Sequence, residues 1–260
     1  MSKIKYNKLV NFNLIMGFLH FIQGVIMLVL ATSVIQKIAE FQPKIIQNFL
    51  SFDFQTKTLV PASKELFTLP FGVLVSLFLF TSATAHFIIV WKKKSYIAGL
   101  EKGMNQFRWF EYAISSSIMI VLIATLFGIY YIATLILIFL ANAGMNMFGL
   151  VMEQLNSGKD KKNVDWGPFI WGSIVGIAPW IAILSYMFGT GNFDLVPWFV
   201  WAIIGTYFVA FNSFPINMYL QYKNIGKWKD YLYGERVYIV LSLVAKSALA
   251  WLVLFGAMQP

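Results

Sequence analysis

The chain has 260 residues, of which 59% are hydrophobic and only 12% charged, and it carries a formal net charge of +9. Soluble domains carry roughly 25% charged residues, so a water-soluble globule is excluded and the solvent is lipid. The absence of cysteine excludes disulfides, a catalytic thiol and any Cys-ligated zinc or iron–sulfur centre.

Lys3, Lys5 and Lys8 precede the first apolar stretch, Leu9–Ile35. It is too long for a cleaved signal segment and lacks a small-x-small cleavage site, so it reads as an uncleaved membrane span. The following segment, Gln36–Leu66, is the one long connection, with Pro43, Pro61 and mixed charge. Within it Phe49–Val60 alternates apolar and polar residues, which predicts a small β-hairpin or ribbon. Six further spans follow at Phe67–Trp91, Asn105–Phe127, Ile129–Met152, Gly167–Phe188, Leu195–Tyr222 and Val237–Met258. Each can cross a hydrocarbon core about 30 Å thick. The runs are too long and continuous for a β-barrel, and no internal repeat points to a transporter of duplicated halves. The expected fold is an all-α, seven-transmembrane helix bundle over residues 1–260 as a single domain, with a small β-ribbon after the first helix.

Orientation follows from the basic residues of the loops. Lys3, Lys5, Lys8, Lys92, Lys93, Lys94, Lys102, Lys159, Lys161, Lys162, Lys223, Lys227, Lys229 and Arg236 fall on one side of the threaded chain. The other side has Lys37, Lys44, Lys57 and Lys64, all in the long loop, and none around Gly128 or Gly189–Asp194. The distribution places the N-terminus in the cytosol and the C-terminus outside, in a multi-pass cell-membrane protein. It also explains the positive charge without a nucleic-acid partner.

Few ionisable residues lie within the spans: His20, His86, Arg108, Glu111 and Lys246. Glu101, Glu153 and Glu235 fall at cytosolic span ends and Asp194 at an outer end, where they read as interfacial charges. Lys246 is deep in the last span, where a free ammonium costs roughly 2.5–3.5 kcal/mol. A desolvated amine condenses readily with an aldehyde, which makes retinal the first ligand to consider. Glu111 is the only deep carboxylate, so it is the economical partner; an ion pair that only fixes helix packing is the other reading. Ser242 lies one turn before Lys246 on the same face, where its hydroxyl could bridge the pair. Arg108 shares the Glu111 face.

Ser115, Ser116 and Ser117 read as helix-packing residues, with Ser115 set apart because it is one turn beyond Glu111 on its face. His20 and His86 are either hydrogen-bonded core residues or groups that store the proton of a titrating nitrogen. Two histidines alone do not complete a tetrahedral metal shell. The sixth span holds Trp198, Trp201, Tyr207, Phe208, Phe211 and Phe214, with Pro215 able to kink it. Its deeper aromatics could form a slot for a flat polyene, lined further by Met119, Met145 and Met147. Trp91, Trp166, Trp198 and Trp228 read as interfacial belt.

The segments Phe107–Met119 (FRWFEYAISSSIM) and Leu241–Trp251 (LSLVAKSALAW) resemble the third- and seventh-helix signatures of the heliorhodopsins. The resemblance extends over essentially the whole chain, including an inward N-terminus, opposite to other microbial rhodopsins. It implies that Lys246 binds all-trans retinal as a protonated Schiff base, that Glu111 is the counterion and that Ser242 lies near the Schiff base. It also implies a polar group of His20, Gln23, His86, Asn105, Arg108 and Tyr112 in the cytosolic half, and dimer contacts through the Gln36–Leu66 ribbon. Leu252 departs from the pattern, where a polar residue such as glutamine is expected.

An ion pump needs a relay to both faces, and nothing acidic lies between Lys246 and the outer surface. The leading expectation is therefore a light-sensing photoreceptor that does not pump, with a slow cycle and an unidentified cytosolic signalling partner; a light-gated proton conductor is the alternative, and a retinal-free scaffold or transporter the third. No nucleophile–base pair, phosphate loop or metal constellation points to an enzyme.

Overall fold

The computed structural model describes residues 3–36, 40–159, 162–189, 191, 196 and 198–257. Of the positions used above, Lys37, Lys161, Asp194, Leu195 and Met258 lie outside the described residues. Eight α-helices are present among those described: α1 (Lys3–Val29, continued by a π turn over Leu30–Val34), α2 (Phe71–Trp91), α3 (Lys93–Glu101), α4 (Gln106–Leu126), α5 (Ile132–Asn156), α6 (Gly167–Phe188), α7 (Trp198–Tyr222) and α8 (Tyr231–Ala257). Seven of them, all but α3, are long and apolar enough to cross a membrane. α1 packs on α2, α2 on α4, α4 on α5, α5 on α6 and α7 on α8, and α8 returns to α1 and α2. α6 and α7 meet through aromatic rings, with Trp180 against Tyr207, Phe208 and Phe211.

The expected ribbon is present. Strand β1 (Lys44–Asp53) pairs antiparallel with β2 (Thr58–Thr68), in register from Lys44↔Thr68 to Asp53↔Thr58 with a bulge at Ile45/Ile46. A two-stranded ribbon is marginal alone, and two anchors hold this one. Ile45 is fully buried, and the Ile46 N–H donates to the Tyr130 carbonyl at 3.0 Å, just before α5. At the tip the Asp53 carboxylate accepts from the Gln55 N–H at 2.8 Å, which holds its carboxyl below the usual carboxylate range.

Local chemistry sets the helix ends, and several differ from the hydropathy boundaries. The second span starts at Phe71 rather than Phe67, because Phe67 pairs with Ile45 in the ribbon and Pro70 caps the helix. Asn105 caps α4, its side chain accepting from the Arg108 N–H at 3.3 Å. Between α2 and α4 the short helix α3 was not expected. It ends in a tight turn at Gly103, whose φ of 71° favours glycine. The fourth span continues to Asn156 and the last begins at Tyr231, so Glu153 and Glu235 are inside helices rather than beyond them.

Beside a cluster around Trp109, Leu150 and Tyr238, two apolar layers hold the bundle. One, toward the ribbon, includes Phe71, Val75, Phe78, Ile120, Ile123, Leu249 and Val253. The other, at the end where α1 begins, includes Tyr6, Leu9, Tyr96, Leu100, Leu232 and Ile239. This second end also holds Lys92, Lys102, Lys223 and Lys229 and is called the basic face below.

Candidate functional site

Between the two layers α8 presents Lys246, which is 3% exposed. Its ammonium donates to the Ser242 hydroxyl at 3.0 Å, one turn back on α8, and to the Ser82 hydroxyl of α2 at 2.6 Å. It also pairs with Glu111 of α4, and Ser82 in turn donates to the same carboxylate at 2.6 Å. The carboxylate and two hydroxyls thus satisfy the donors of one buried amine, the condition under which a charge survives desolvation. Glu111 pairs with Lys246 as expected, whereas Ser242 bonds the nitrogen alone and the bridging hydroxyl is that of Ser82. Ser82 was missed, because a lone serine in an apolar helix reads as a packing residue. Ser115 is fully buried one turn beyond Glu111.

Lys246 also lines a cavity of about 510 Å³, enclosed chiefly by α4, α5, α6 and α7. Met119 and Met145 line one side, and Trp180, Tyr207, Phe211 and Phe214 others. Trp180 and Tyr207 lie 5.1 Å apart, tilted by 32°, and Phe211 meets the Tyr207 ring at 5.5 Å. This volume is in the range of about 300–1,000 Å³ typical of small-molecule sites, and the walls are mostly apolar and aromatic. Met147 is not among the lining residues and packs instead against the apolar cluster that contains Leu150 and Met152; Trp198 and Trp201 are exposed. Trp180 is a wall residue that the sequence reading did not single out.

The histidines come together. His20 and His86 stack with ring centroids 5.5 Å apart and planes 13° from parallel. His86 Nδ1 bonds Asn13 Oδ1 at 2.8 Å, while neither His20 ring nitrogen has a hydrogen-bond partner among the described residues. Tyr112 lies under the amine, its ring centroid 5.2 Å from Lys246 Nζ, and its hydroxyl donates to the Tyr238 carbonyl at 3.1 Å. Gln23 does not join Asn105 and Arg108; it accepts from the Ser247 hydroxyl at 2.8 Å.

Arg108 is where the structure corrects the sequence reading most. It pairs with Glu153 and Glu235, which are 2% and 1% exposed and not interfacial. The Asn105 backbone N–H donates to Glu153 at 2.8 Å and its side-chain amide to Glu235 at 2.5 Å. The Arg108 guanidinium also lies 3.9 Å from the Tyr238 ring centroid, a cation–π contact. Hydropathy places charges at span ends when it cannot see the arginine that draws them inward.

Among the described residues no group of three or more His, Asp or Glu is arranged to hold a metal. A family model, Heliorhodopsin, matches residues 9–258. The chain belongs to the heliorhodopsin family. No curated protein matches it in sequence. As a heliorhodopsin it is a multi-pass, retinal-binding protein of the rhodopsin type that senses light. The residues fit such a chromophore: Lys246, with its buried and hydrogen-bonded amine, lines a cavity with aromatic and methionine walls.

Proposed function

We propose that this heliorhodopsin is a light-sensing photoreceptor in which Lys246 holds all-trans retinal as a protonated Schiff base with Glu111 as counterion. The observation that carries the reading is the position of Lys246, whose Nζ bonds Glu111 and Ser82 while the residue lines the aromatic cavity. Condensation of the amine with the aldehyde releases one water, and the nitrogen keeps one proton for Glu111 to balance. When bound, retinal supplies visible absorption and an isomerisation driven by light.

The remaining roles belong to the chain. Glu111 stabilises the positive nitrogen, and Ser82, Ser242 and Ser115 fix the position of the carboxylate and the nitrogen. Met119, Phe211, Trp180 and Tyr207 grip the polyene. His20 and His86 handle the nitrogen's proton, Asn105, Arg108 and Tyr112 form the polar surroundings in the cytosolic half, and Gln23 holds Ser247 beside Lys246. Residues 1–260 act as one domain.

The cycle is slow and moves no ion across the membrane. The support is an asymmetry: among the described residues, no Asp or Glu lies within the spans on the ribbon side of Lys246, so a relay to that face is missing. The basic face is cytosolic by the charge distribution of the loops and is where a signalling partner would meet the protein. The ribbon faces outward and supports a homodimer, because Phe49, Leu50, Phe52 and Phe54 are exposed on it.

The test is a flash-photolysis record alongside voltage-clamp currents from the same cells. The expected result is a light-induced spectral change that decays slowly, without steady photocurrent. A sustained photocurrent would replace the sensor with a light-gated proton conductor.

A further inference from the structure

The ionisable groups that this light reaction leaves unused form a second cluster, between Lys246 and the basic face. One guanidinium, Arg108 of α4, faces two carboxylates, Glu153 of α5 and Glu235 of α8. The other titratable neighbours are Tyr96 of α3, Tyr112 of α4, Tyr222 of α7 and Tyr231 and Tyr238 of α8, all phenols. α1 contributes Asn13, which is amidic. The next charged or basic groups are Glu111, already paired with Lys246, and His86 of α2, both across a small cavity. With both acids ionised the cluster would carry a net negative charge where neither acid is more than 2% exposed. An uncompensated buried charge is strongly destabilising, so the cluster is neutral only with one carboxyl proton.

The hydrogen bonds say which acid carries it. Glu153 is saturated by donors: Arg108, the Asn105 backbone N–H at 2.8 Å, the Trp109 indole N–H at 2.7 Å and the Tyr231 hydroxyl at 3.4 Å. Glu235 takes Arg108 and the Asn105 amide at 2.5 Å. Its remaining neighbour is the Tyr96 hydroxyl at 3.4 Å, which already takes a bond from Asn13 at 3.2 Å. The two hydroxyls stand equally far from their acids, so the difference lies in the N–H donors. Arg108, Asn105 and Trp109 give them to Glu153 but only Arg108 and Asn105 to Glu235. That leaves Glu235 the less stabilised carboxylate and the acid that keeps the proton.

Two cavities flank this acid, one lined by Glu235 itself and the other by its hydrogen-bond neighbours. The inner one, about 20 Å³, is bounded by Glu235 together with Glu111, Ser242 and His86; it is large enough for one water. The outer one, about 220 Å³, lies at the basic face, lined by Lys102, Gln106 and Gln154 and by Tyr96 and Asn105, the two neighbours of Glu235.

We propose that Glu235 is protonated in the dark and is the carboxyl through which the Lys246–Glu111 site exchanges a proton with the basic face. Its proton moves inward through the inner cavity to the site, leaving the cluster with a transient net negative charge that Arg108 shares between two carboxylates. A proton from the aqueous side, arriving by the outer cavity past Tyr96 and Asn105, restores the acid. The connection is one-sided and ends at the chromophore nitrogen. The trigger rests on the retinal reading above; the dark protonation of Glu235 does not.

Two experiments on the full chain in lipid separate these. Light-minus-dark infrared spectra should show depletion of a protonated-carboxyl C=O stretch that is absent in Glu235→Gln and displaced in Glu235→Asp. Persistence of that band in Glu235→Gln, or no carboxyl band at all, overturns the exchange role. Heat unfolding of the retinal-free protein tests the dark state alone, because Gln mimics the protonated acid. Glu235→Gln should melt within about 2 °C of the parent chain, and Glu153→Gln well below it. Equal losses in the two variants, or failure of Glu235→Gln to fold, overturn the dark protonation. A parent chain that forms no pigment counts against the retinal reading, and the melting comparison still decides the protonation.

Discussion

At Lys246 three oxygens from three helices converge on one nitrogen, Glu111 from α4, Ser82 from α2 and Ser242 from α8. Removing the nitrogen removes the attachment point: Lys246→Ala is expected to fold yet form no visible pigment with retinal, checked by absorption of the purified protein. Removing the negative charge instead changes colour. Glu111 stabilises positive charge at the nitrogen, which in the excited state shifts along the polyene, so Glu111→Gln narrows the excitation gap and moves the visible band to the red. An unchanged band would reject Glu111 as counterion. Ser82→Ala leaves the charges in place and should shift the band less than Glu111→Gln does. The lysine and glutamate were legible in the sequence because deep opposite charges in a lipid-soluble chain need each other. Ser82 was not, since a serine's partner on another helix leaves no trace in local pattern. The same holds for Asn13, which joins His86 to Tyr96.

The helices and ribbon follow from patterns that a sequence displays directly: long apolar runs for the spans and alternation from Phe49 to Val60 for the strands. Their ends were less legible where tertiary contacts decide them. α5 runs past Met152 and α8 starts before Val237 because Arg108 compensates the carboxylates that make those turns look like loops. Close packing between helices is equally invisible in one dimension. A Cβ at Gly149 of α5 would stand 2.2 Å from the Trp109 ring, and that ring is held by its bond to Glu153 at 2.7 Å. Gly149→Ala therefore overpacks the α4–α5 contact and is expected to cost about 1–3 kcal/mol, read as a lower melting temperature. On the ribbon Phe54 is 84% exposed at the tip. If this apolar edge joins two copies, Phe54→Asp should shift the detergent-solubilised protein from dimer toward monomer in native mass spectra, with the pigment band unchanged.

Across the whole molecule seven crossings put the ribbon and the basic face on opposite ends of the bundle. The absence of cysteine makes orientation directly measurable with single introduced thiols. Thr56→Cys at the ribbon turn is expected to react with a membrane-impermeant maleimide on intact cells, and Lys227→Cys only after permeabilisation; the reverse pattern would invert the topology. The two ends also differ in chemistry, since the buried acids Glu111, Glu153 and Glu235 all lie on Lys246 or toward the basic face. That asymmetry favours a protein that reports light to one side over one that carries ions between two. The photoreceptor function depends on the occupant of Lys246. The deciding measurement is the visible absorption spectrum of the purified protein supplied with all-trans retinal, before and after hydroxylamine under illumination. A visible band that bleaches to retinal oxime is the predicted result. A folded protein with no band, or with a band indifferent to hydroxylamine, would contradict it and leave Lys246–Glu111 as a pair that holds helices together.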